Sequence, residues 1–223
     1  MPVRQLYVFD AYGTLFDVHS AVARHAGEIG PQAAALSDLW RTKQLEYTWV
    51  RSLSWRYRDF GSLTEQALDY AAARCGGIGA ELRAKLLEAY SRLDAFADVG
   101  PTLDALRAQG AKTAILSNGT HAMLETATRS AGLENRLDAI LSVDVLRVYK
   151  TTPAAYALVG GHFGLPPAEV TFLSSNRWDI AGAAAFGFRC IWVNRMGLPE
   201  EYAELAPEAV VRSLDGLLAL DLA

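Results

Sequence analysis

Leu6-Tyr7-Val8-Phe9-Asp10-Ala11-Tyr12-Gly13-Thr14-Leu15-Phe16-Asp17 sets the fold of this chain. A run of strand-forming residues ends abruptly at a carboxylate, and a glycine three residues later permits a sharp turn. A strand buried on both faces of a parallel sheet has this continuous apolar character, and open α/β folds place ligands at the C-terminal ends of such strands. Taken alone, the stretch fits equally well a strand closed by an Asx-type turn.

The segments that follow favour the first alternative. From Asp17 to about Leu93 the pattern is helical. Leu36, Leu39, Trp40, Leu45, Tyr47 and Trp49 recur mostly at helical spacing. Ser62-Leu63-Thr64-Glu65 has the form of a capping box opening another helix. Gly76, Gly77 and Gly79 break the chain before a further stripe of Leu82, Leu86, Leu87, Tyr90 and Leu93. After Gly100-Pro101 the rhythm alternates. A helix opens at Pro101, and short strands follow at about 113–116, 138–143, 170–173, 190–193 and 209–211, the last at an edge. A Pro-started helix at Pro153 and an Ala- and Gly-rich helix over 181–185 lie between them. Strand–helix alternation implies an α/β, doubly wound, parallel Rossmann-like sheet. The expected organisation is a core of residues 1–16 and 96–223, with a helical cap of residues 17–95 inserted after the first strand.

Composition narrows the function classes. The 223 residues are 51% hydrophobic and 21% charged, with a net charge of −4 and no basic stripe or tail, so nucleic acid is not an expected partner. No apolar run reaches the roughly 18 residues of a membrane span. The few residues before the first strand leave no room for a signal peptide, and a cytoplasmic enzyme is the expectation. Cys75 and Cys190 stand far apart and read as two buried thiols rather than a disulfide. His19, His25, His121 and His162 lack metal-ligand spacing, so a zinc site is not expected.

Four strand ends carry polar groups of different kinds: Asp10, Ser117-Asn118, Lys150 after a loop, and Ser174-Ser175-Asn176 with Asp179. A parallel sheet brings such ends to one edge, which makes them candidates for a catalytic site. In order and spacing, these segments resemble the haloacid dehalogenase superfamily and, within it, the L-2-haloacid dehalogenases. The resemblance covers nearly the whole chain. It rests on residues 9–17, on Trp40-Arg41 with Lys43-Gln44-Leu45-Glu46-Tyr47, on Leu116-Ser117-Asn118-Gly119, on Tyr149-Lys150 with Pro153 and Tyr156, and on Ser174-Ser175-Asn176 with Asp179. Superfamily phosphatases place a second aspartate two residues after the first, and a further acidic metal ligand at the distal motif. Here those places hold Tyr12 and Ser174-Ser175, which leaves little to hold a six-oxygen cation.

The resemblance implies a metal-independent hydrolase with no cofactor, acting on short L-2-haloacids through an aspartyl ester. Asp10 is the implied nucleophile, oriented by Thr14. The substrate carboxylate and Asp10 are both anions, and two unit charges ~4 Å apart repel by about 4 kcal/mol at an effective dielectric of ~20. Lys150 and Arg41 are the cations expected to balance them. By the same resemblance Arg41, Asn118 and Trp178 cradle the halide, and Ser117 with main-chain N–H groups after Asp10 holds the substrate carboxylate. Ser174, Asn176 and Asp179 position Lys150 and the hydrolytic water, and Tyr12, Leu45, Phe60 and Trp178 wall the C2 side. Tyr156 is expected to pack and hydrogen-bond near Asp10. Without the resemblance, Arg41 is an ordinary solvated helix residue, Lys150 an exposed loop cation and Asp179 a helix cap. Thr42 and Thr151 depart from the family pattern, which has Gln and Pro there. A magnesium-dependent phosphatase and a catalytically silent acid-binding protein on the same fold are the alternatives. A homodimer is expected, because Trp40, Tyr47, Trp49, Trp55 and Tyr57 are many aromatics for one small cap to bury.

Overall fold

A computed structural model describes residues 6–220. β1 (Leu6–Phe9) is buried along its whole length, as its unbroken apolar run requires. The chain then turns at Gly13, whose φ of +90° belongs to the region that favours glycine, and enters five helices. These are α1 (Ser20–Ala23), α2 (Ala26–Ile29), α3 (Ala33–Leu53), α4 (Phe60–Arg74) and α5 (Ala80–Ser91). The outgoing and returning segments run side by side: Asp17 N–H donates to the Asp94 carbonyl (2.8 Å) and Phe96 N–H to that of Leu15 (3.0 Å).

α6 (Val99–Ala108) begins the alternating part. β2 (Lys112–Ser117), α7 (His121–Ser130), β3 (Ala139–Ser142), α8 (Pro153–Phe163), β4 (Val170–Ser174), α9 (Arg177–Phe186), β5 (Arg189–Val193) and β6 (Ala209–Val211) follow. The six strands form one parallel sheet in the order β3-β2-β1-β4-β5-β6. The doubly wound parallel sheet read from the sequence is therefore the fold, with its edge strand at β6. β1 lies where the winding reverses direction, between β2 and β4. Asp10 thus ends the central strand at the topological switch point, the usual ligand position in such sheets.

Three local readings change. α4 starts at Phe60, earlier than the Ser62–Glu65 box, because Asp59 is the N-cap and accepts from Ser62 N–H (2.9 Å). That earlier start lets Phe60, Leu63, Thr64, Ala67, Leu68 and Ala71 form one buried stripe against α3. α6 starts at Val99 instead of Pro101, which stands within its first turn. Cys190 is buried but Cys75 only half-buried, and neither is in a disulfide. Among the described residues, no helix is long and apolar enough to cross a membrane.

The small residues of α9 have a tertiary reason. A Cβ built on Gly182 would collide with the Tyr156 hydroxyl and stand 2.7 Å from Thr151 Cβ, so only glycine lets α9 approach the loop after Lys150. Gly161 in α8 has open space at the same test. Gly182→Ala is therefore expected to destabilise the fold by about 1–3 kcal/mol through overpacking. Gly161→Ala should be neutral or stabilise by up to about 1 kcal/mol through reduced freedom of the unfolded chain. Urea unfolding midpoints compared with the unsubstituted protein check both.

Candidate active site

Asp10 follows β1 directly, and its N–H donates to the Leu173 carbonyl on β4 (2.9 Å), which pins the start of the turn. Asp10 as a whole is only 5% exposed. Oδ1 accepts from Lys150 Nζ (3.1 Å). Oδ2 accepts from the Thr14 hydroxyl (3.1 Å), the Asn176 amide (2.8 Å) and, more distantly, the Ser174 hydroxyl (3.4 Å). Thr14 Oγ1 in turn accepts from Ser175 N–H (2.8 Å), so the β1 turn and the β4 end fix each other.

Lys150 is buried and lies between two carboxylates: Nζ also donates to Asp179 Oδ2 (2.8 Å). It sits 5.1 Å from the centre of the Phe172 ring. Its N–H donates to Asn118 Oδ1 (3.0 Å), which ties its loop to the end of β2, and the Lys150–Thr151 peptide is cis. The remaining Asp179 oxygen accepts from the Tyr156 hydroxyl (2.8 Å). Burial alone would lower Lys150, yet Asp10 and Asp179 outweigh it and leave its pKa raised. Burial, helped by nearby Asp10 and only partly offset by Lys150, pushes Asp179 up to about 6.

Arg41 reaches this centre from α3. Its Nη2 donates to the Tyr12 carbonyl (3.1 Å) and to Asn176 Oδ1 (3.3 Å), and its Nη1 to Gln44 Oε1 (2.9 Å). Asn176 therefore takes a bond from α3 on one side of its amide and gives one to Asp10 from the other. Ser117 is buried at the end of β2, with its hydroxyl accepting from Gly119 N–H (3.2 Å). Among the described residues the Ala11 and Tyr12 N–H groups donate to no backbone carbonyl. Tyr12 and Phe60 are buried, their ring centroids 5.4 Å apart, and Leu45 is half-buried.

The candidates do not all gather equally. Asp10, Thr14, Lys150, Ser174, Asn176 and Asp179 form one connected network, joined by Arg41 through Asn176 and by Asn118 through the Lys150 backbone. Ser174 and Asn176 bond to Asp10, while Asp179 is the member of that trio that holds Lys150. Trp178 stands apart, half-buried, with its ring edge against Trp49 (centroids 5.7 Å). Thr42 and Thr151 are exposed.

Other residues escaped the sequence reading. Gln44 and Tyr90 hold Arg41's surroundings, and Arg195 donates to the Thr14 carbonyl (3.0 Å) while clamped on Asp98 (2.8 and 3.0 Å). Gln44 lay within a quoted motif but carried no assigned role, and no signal in the sequence links Arg195 to Thr14 across 181 positions.

Among the described residues, no group of three or more His, Cys, Asp and Glu side chains converges as a metal site would require. The place between the two carboxylates already holds a cation, the Lys150 ammonium. The arrangement offers a carboxylate oriented on both oxygens, a buried ammonium and a guanidinium from α3, a set suited to nucleophilic displacement on a small anion.

Known proteins show the same architecture. The chain is 48% identical over 208 residues to (S)-2-haloacid dehalogenase 1 of Pseudomonas sp. (strain CBS-3), covering 93% of this chain and 91% of that one. It is 47% identical to (S)-2-haloacid dehalogenase 4A of Burkholderia cepacia, over 90% and 87% of the two chains. The L-2-haloacid dehalogenase of Xanthobacter autotrophicus, solved with chloropropionic acid covalently bound, superposes with a TM-score of 0.88 at 36% identity, over 99% of this chain and 100% of that one. The model of the haloacid dehalogenase-like hydrolases matches residues 5–187, and the chain belongs to that family.

Proposed function

We propose that this protein hydrolyses short-chain L-2-haloalkanoic acids to D-2-hydroxy acids and halide, without metal or cofactor. The observation that carries this reading is the Asp10 carboxylate, held on one oxygen by Lys150 and on the other by Thr14 and Asn176. A carboxylate oxygen of Asp10 attacks C2 opposite the halogen, forming a C–O bond as the carbon–halogen bond breaks and the electron pair leaves with the halide. Configuration at C2 inverts. Water then adds to the Asp10 carbonyl carbon, releases the 2-hydroxy acid and restores the carboxylate. The relative with covalently bound chloropropionic acid supports an enzyme-linked intermediate.

Charge orders the other roles. Asp10 and Asp179 are balanced by Lys150 and Arg41, so an arriving 2-haloacid carboxylate adds the unbalanced charge. Ser117 and the Ala11 and Tyr12 N–H groups are the proposed donors to it, and Arg41, Asn118 and Trp178 receive the departing halide. Tyr12, Leu45, Phe60 and Trp178 exclude water from the C2 side. Asp179, poised near neutrality, is suited to take the proton released as water attacks. The helices between residues 17 and 95 act as a cap that delivers Arg41. A magnesium phosphatase fits less well, because Tyr12 stands where its leaving-group acid belongs and an ammonium stands between the carboxylates. With two unpaired thiols, a cytoplasmic location belongs to the same reading.

A second copy of the chain is the proposed partner. At the end of α3, Leu53 and Trp55 are each 83% exposed and Trp49 is 38% exposed, beside a cavity of about 680 Å³ also lined by Trp178, Phe186 and Tyr202. Such a patch exceeds what isolated surface apolar residues explain.

Chloride release tests the reaction. Release is expected from L-2-chloropropionate and not from the D enantiomer, unchanged by excess EDTA, and lowered at least about 10³-fold in Asp10→Asn. Turnover of a phosphate ester with magnesium, and none of the haloacid, would favour the phosphatase. Tight binding of the acid with no turnover would favour the silent protein.

The pH profile is set by Asp179. The rate of ester hydrolysis, and kcat where that step limits it, should fall as pH drops through about 6, where its carboxyl takes up a proton, and Asp179→Asn should remove that limb. The effect on stability has the opposite sign. Folded Asp179 keeps its proton to about pH 6 while an ordinary aspartate loses it near 3.8, so its stabilising contribution falls as pH rises through that interval. Light scattering at micromolar concentration should give twice the chain mass, and Leu53→Glu should return it to one chain.

A further inference from the structure

Gln44 is a polar residue with no exposed surface, and the mechanism above does not use it. It lies on α3 with Leu36, Trp40 and Thr48 at intervals of four, on the stripe that faces the interior of the insertion. A buried side-chain amide must satisfy its donors and its acceptor, and Gln44 does so in one direction only.

Thr64 sets that direction. Its hydroxyl donates to the Phe60 carbonyl within α4 (2.7 Å), so its single proton is committed. Towards Gln44, Thr64 Oγ1 can then only accept, and Gln44 Nε2 donates to it (2.7 Å). The Gln44 carbonyl consequently faces the other way, where it accepts from Arg41 Nη1 (2.9 Å). The Tyr90 hydroxyl bridges the amide, accepting from Nε2 (2.9 Å) and donating to Oε1 (3.1 Å). The Tyr90 ring is itself stacked on Tyr12, 5.6 Å between centroids and 13° between planes. Trp40 Nε1 donates to the Thr64 carbonyl (2.8 Å) and locks the turn that presents Thr64.

The acceptor chosen for Arg41 is neutral. A carboxylate at the same point would pair with the guanidinium and cancel its charge, whereas an amide carbonyl orients the plane and leaves the full positive charge to act on an anion. Two further acceptors of Arg41, the Tyr12 carbonyl and Asn176 Oδ1, are also neutral. We infer that Gln44, oriented by Thr64 and Tyr90, is a positioning residue that aims Arg41 at the anion-binding side of Asp10 with no carboxylate paired directly to its guanidinium. This rests on the dehalogenase reading for its consequence in turnover, but the coupling of Gln44 to Arg41 is measurable without it.

The test is a double-substitution cycle with Gln44→Met, Arg41→Ala and both together, plus Gln44→Glu, each checked for an unchanged thermal transition. Two quantities are read: bromide affinity from quenching of tryptophan fluorescence, and kcat and KM with L-2-chloropropionate. Gln44→Met should weaken bromide binding and raise KM by about tenfold, the scale of one hydrogen bond to a charged group, and should add nothing once Arg41 is alanine. Gln44→Glu keeps the shape and the acceptor but brings a competing charge, so it should weaken bromide at least as much. A role confined to the fold would give equal losses in both backgrounds and little effect of Gln44→Glu. Either of those results, or a wild-type protein that binds no bromide, overturns the inference. Should Gln44→Met not fold, Gln44→Glu carries the same cycle. A wild-type protein that binds bromide through Arg41 but releases no chloride would defeat the dehalogenase reading while leaving the Gln44 coupling standing.

Discussion

The site depends on one buried ammonium. Lys150 has 1% of its surface exposed and no counter-charge near it in sequence, and placing such a group inside a protein costs several kcal/mol unless it is paired. Asp10 and Asp179 supply the pairing, from the end of β1 and the first turn of α9. Each needs the lysine as much as the lysine needs them, since two carboxylates this close repel. The requirement fixes three backbone segments relative to one another: the turn after β1, the loop before α8 and the start of α9. Gly182 then admits that loop against α9, and Tyr156 occupies the last Asp179 oxygen.

A second joint connects this centre to α3. Asn176 gives its amide hydrogens to Asp10 and the Tyr12 carbonyl and takes a hydrogen bond from Arg41. The guanidinium thus meets the Asp10 carboxylate through one intervening amide, not directly. Direct pairing would bind the two charges to each other. Indirect contact keeps Arg41 close to Asp10 without pairing the two charges. The pattern repeats at Gln44, where the acceptor is again an amide oxygen. Arg41 thus has neutral partners, whereas Lys150 has charged ones.

Much of this was legible in the order of residues. The buried strand before Asp10, the alternation after Gly100 and the polar strand ends follow from short-range patterns, and a parallel sheet leaves those ends one edge to share. Family resemblance then picked Arg41 out of a position that local pattern would leave as an ordinary solvated helix residue. What stayed hidden follows the same logic. Gln44 sits on the core-facing stripe of α3, where a polar residue breaks the apolar period and reads as the solvent face. Asp59, not Ser62, caps α4, because burial of Phe60 decides where the helix begins. Arg195 and Asp98 brace Thr14 from the far end of the chain, and nothing local to any of the three announces it.

By itself, the sequence determined the doubly wound sheet, the place of Asp10 at the end of its first strand, and the chemical kinds of group gathered at that edge. These depend on periodicity and on strand direction, both of which act over a few residues. Tertiary structure alone decided which group holds which: Asn176 and Ser174 on Asp10, Asp179 on Lys150, Gln44 on Arg41. Hydrogen bonds are directional and extend only about 3 Å, while the partners lie from 3 to 166 positions apart. Only the packed fold brings those donors and acceptors within reach and selects which amide face, and which carboxylate oxygen, each one meets.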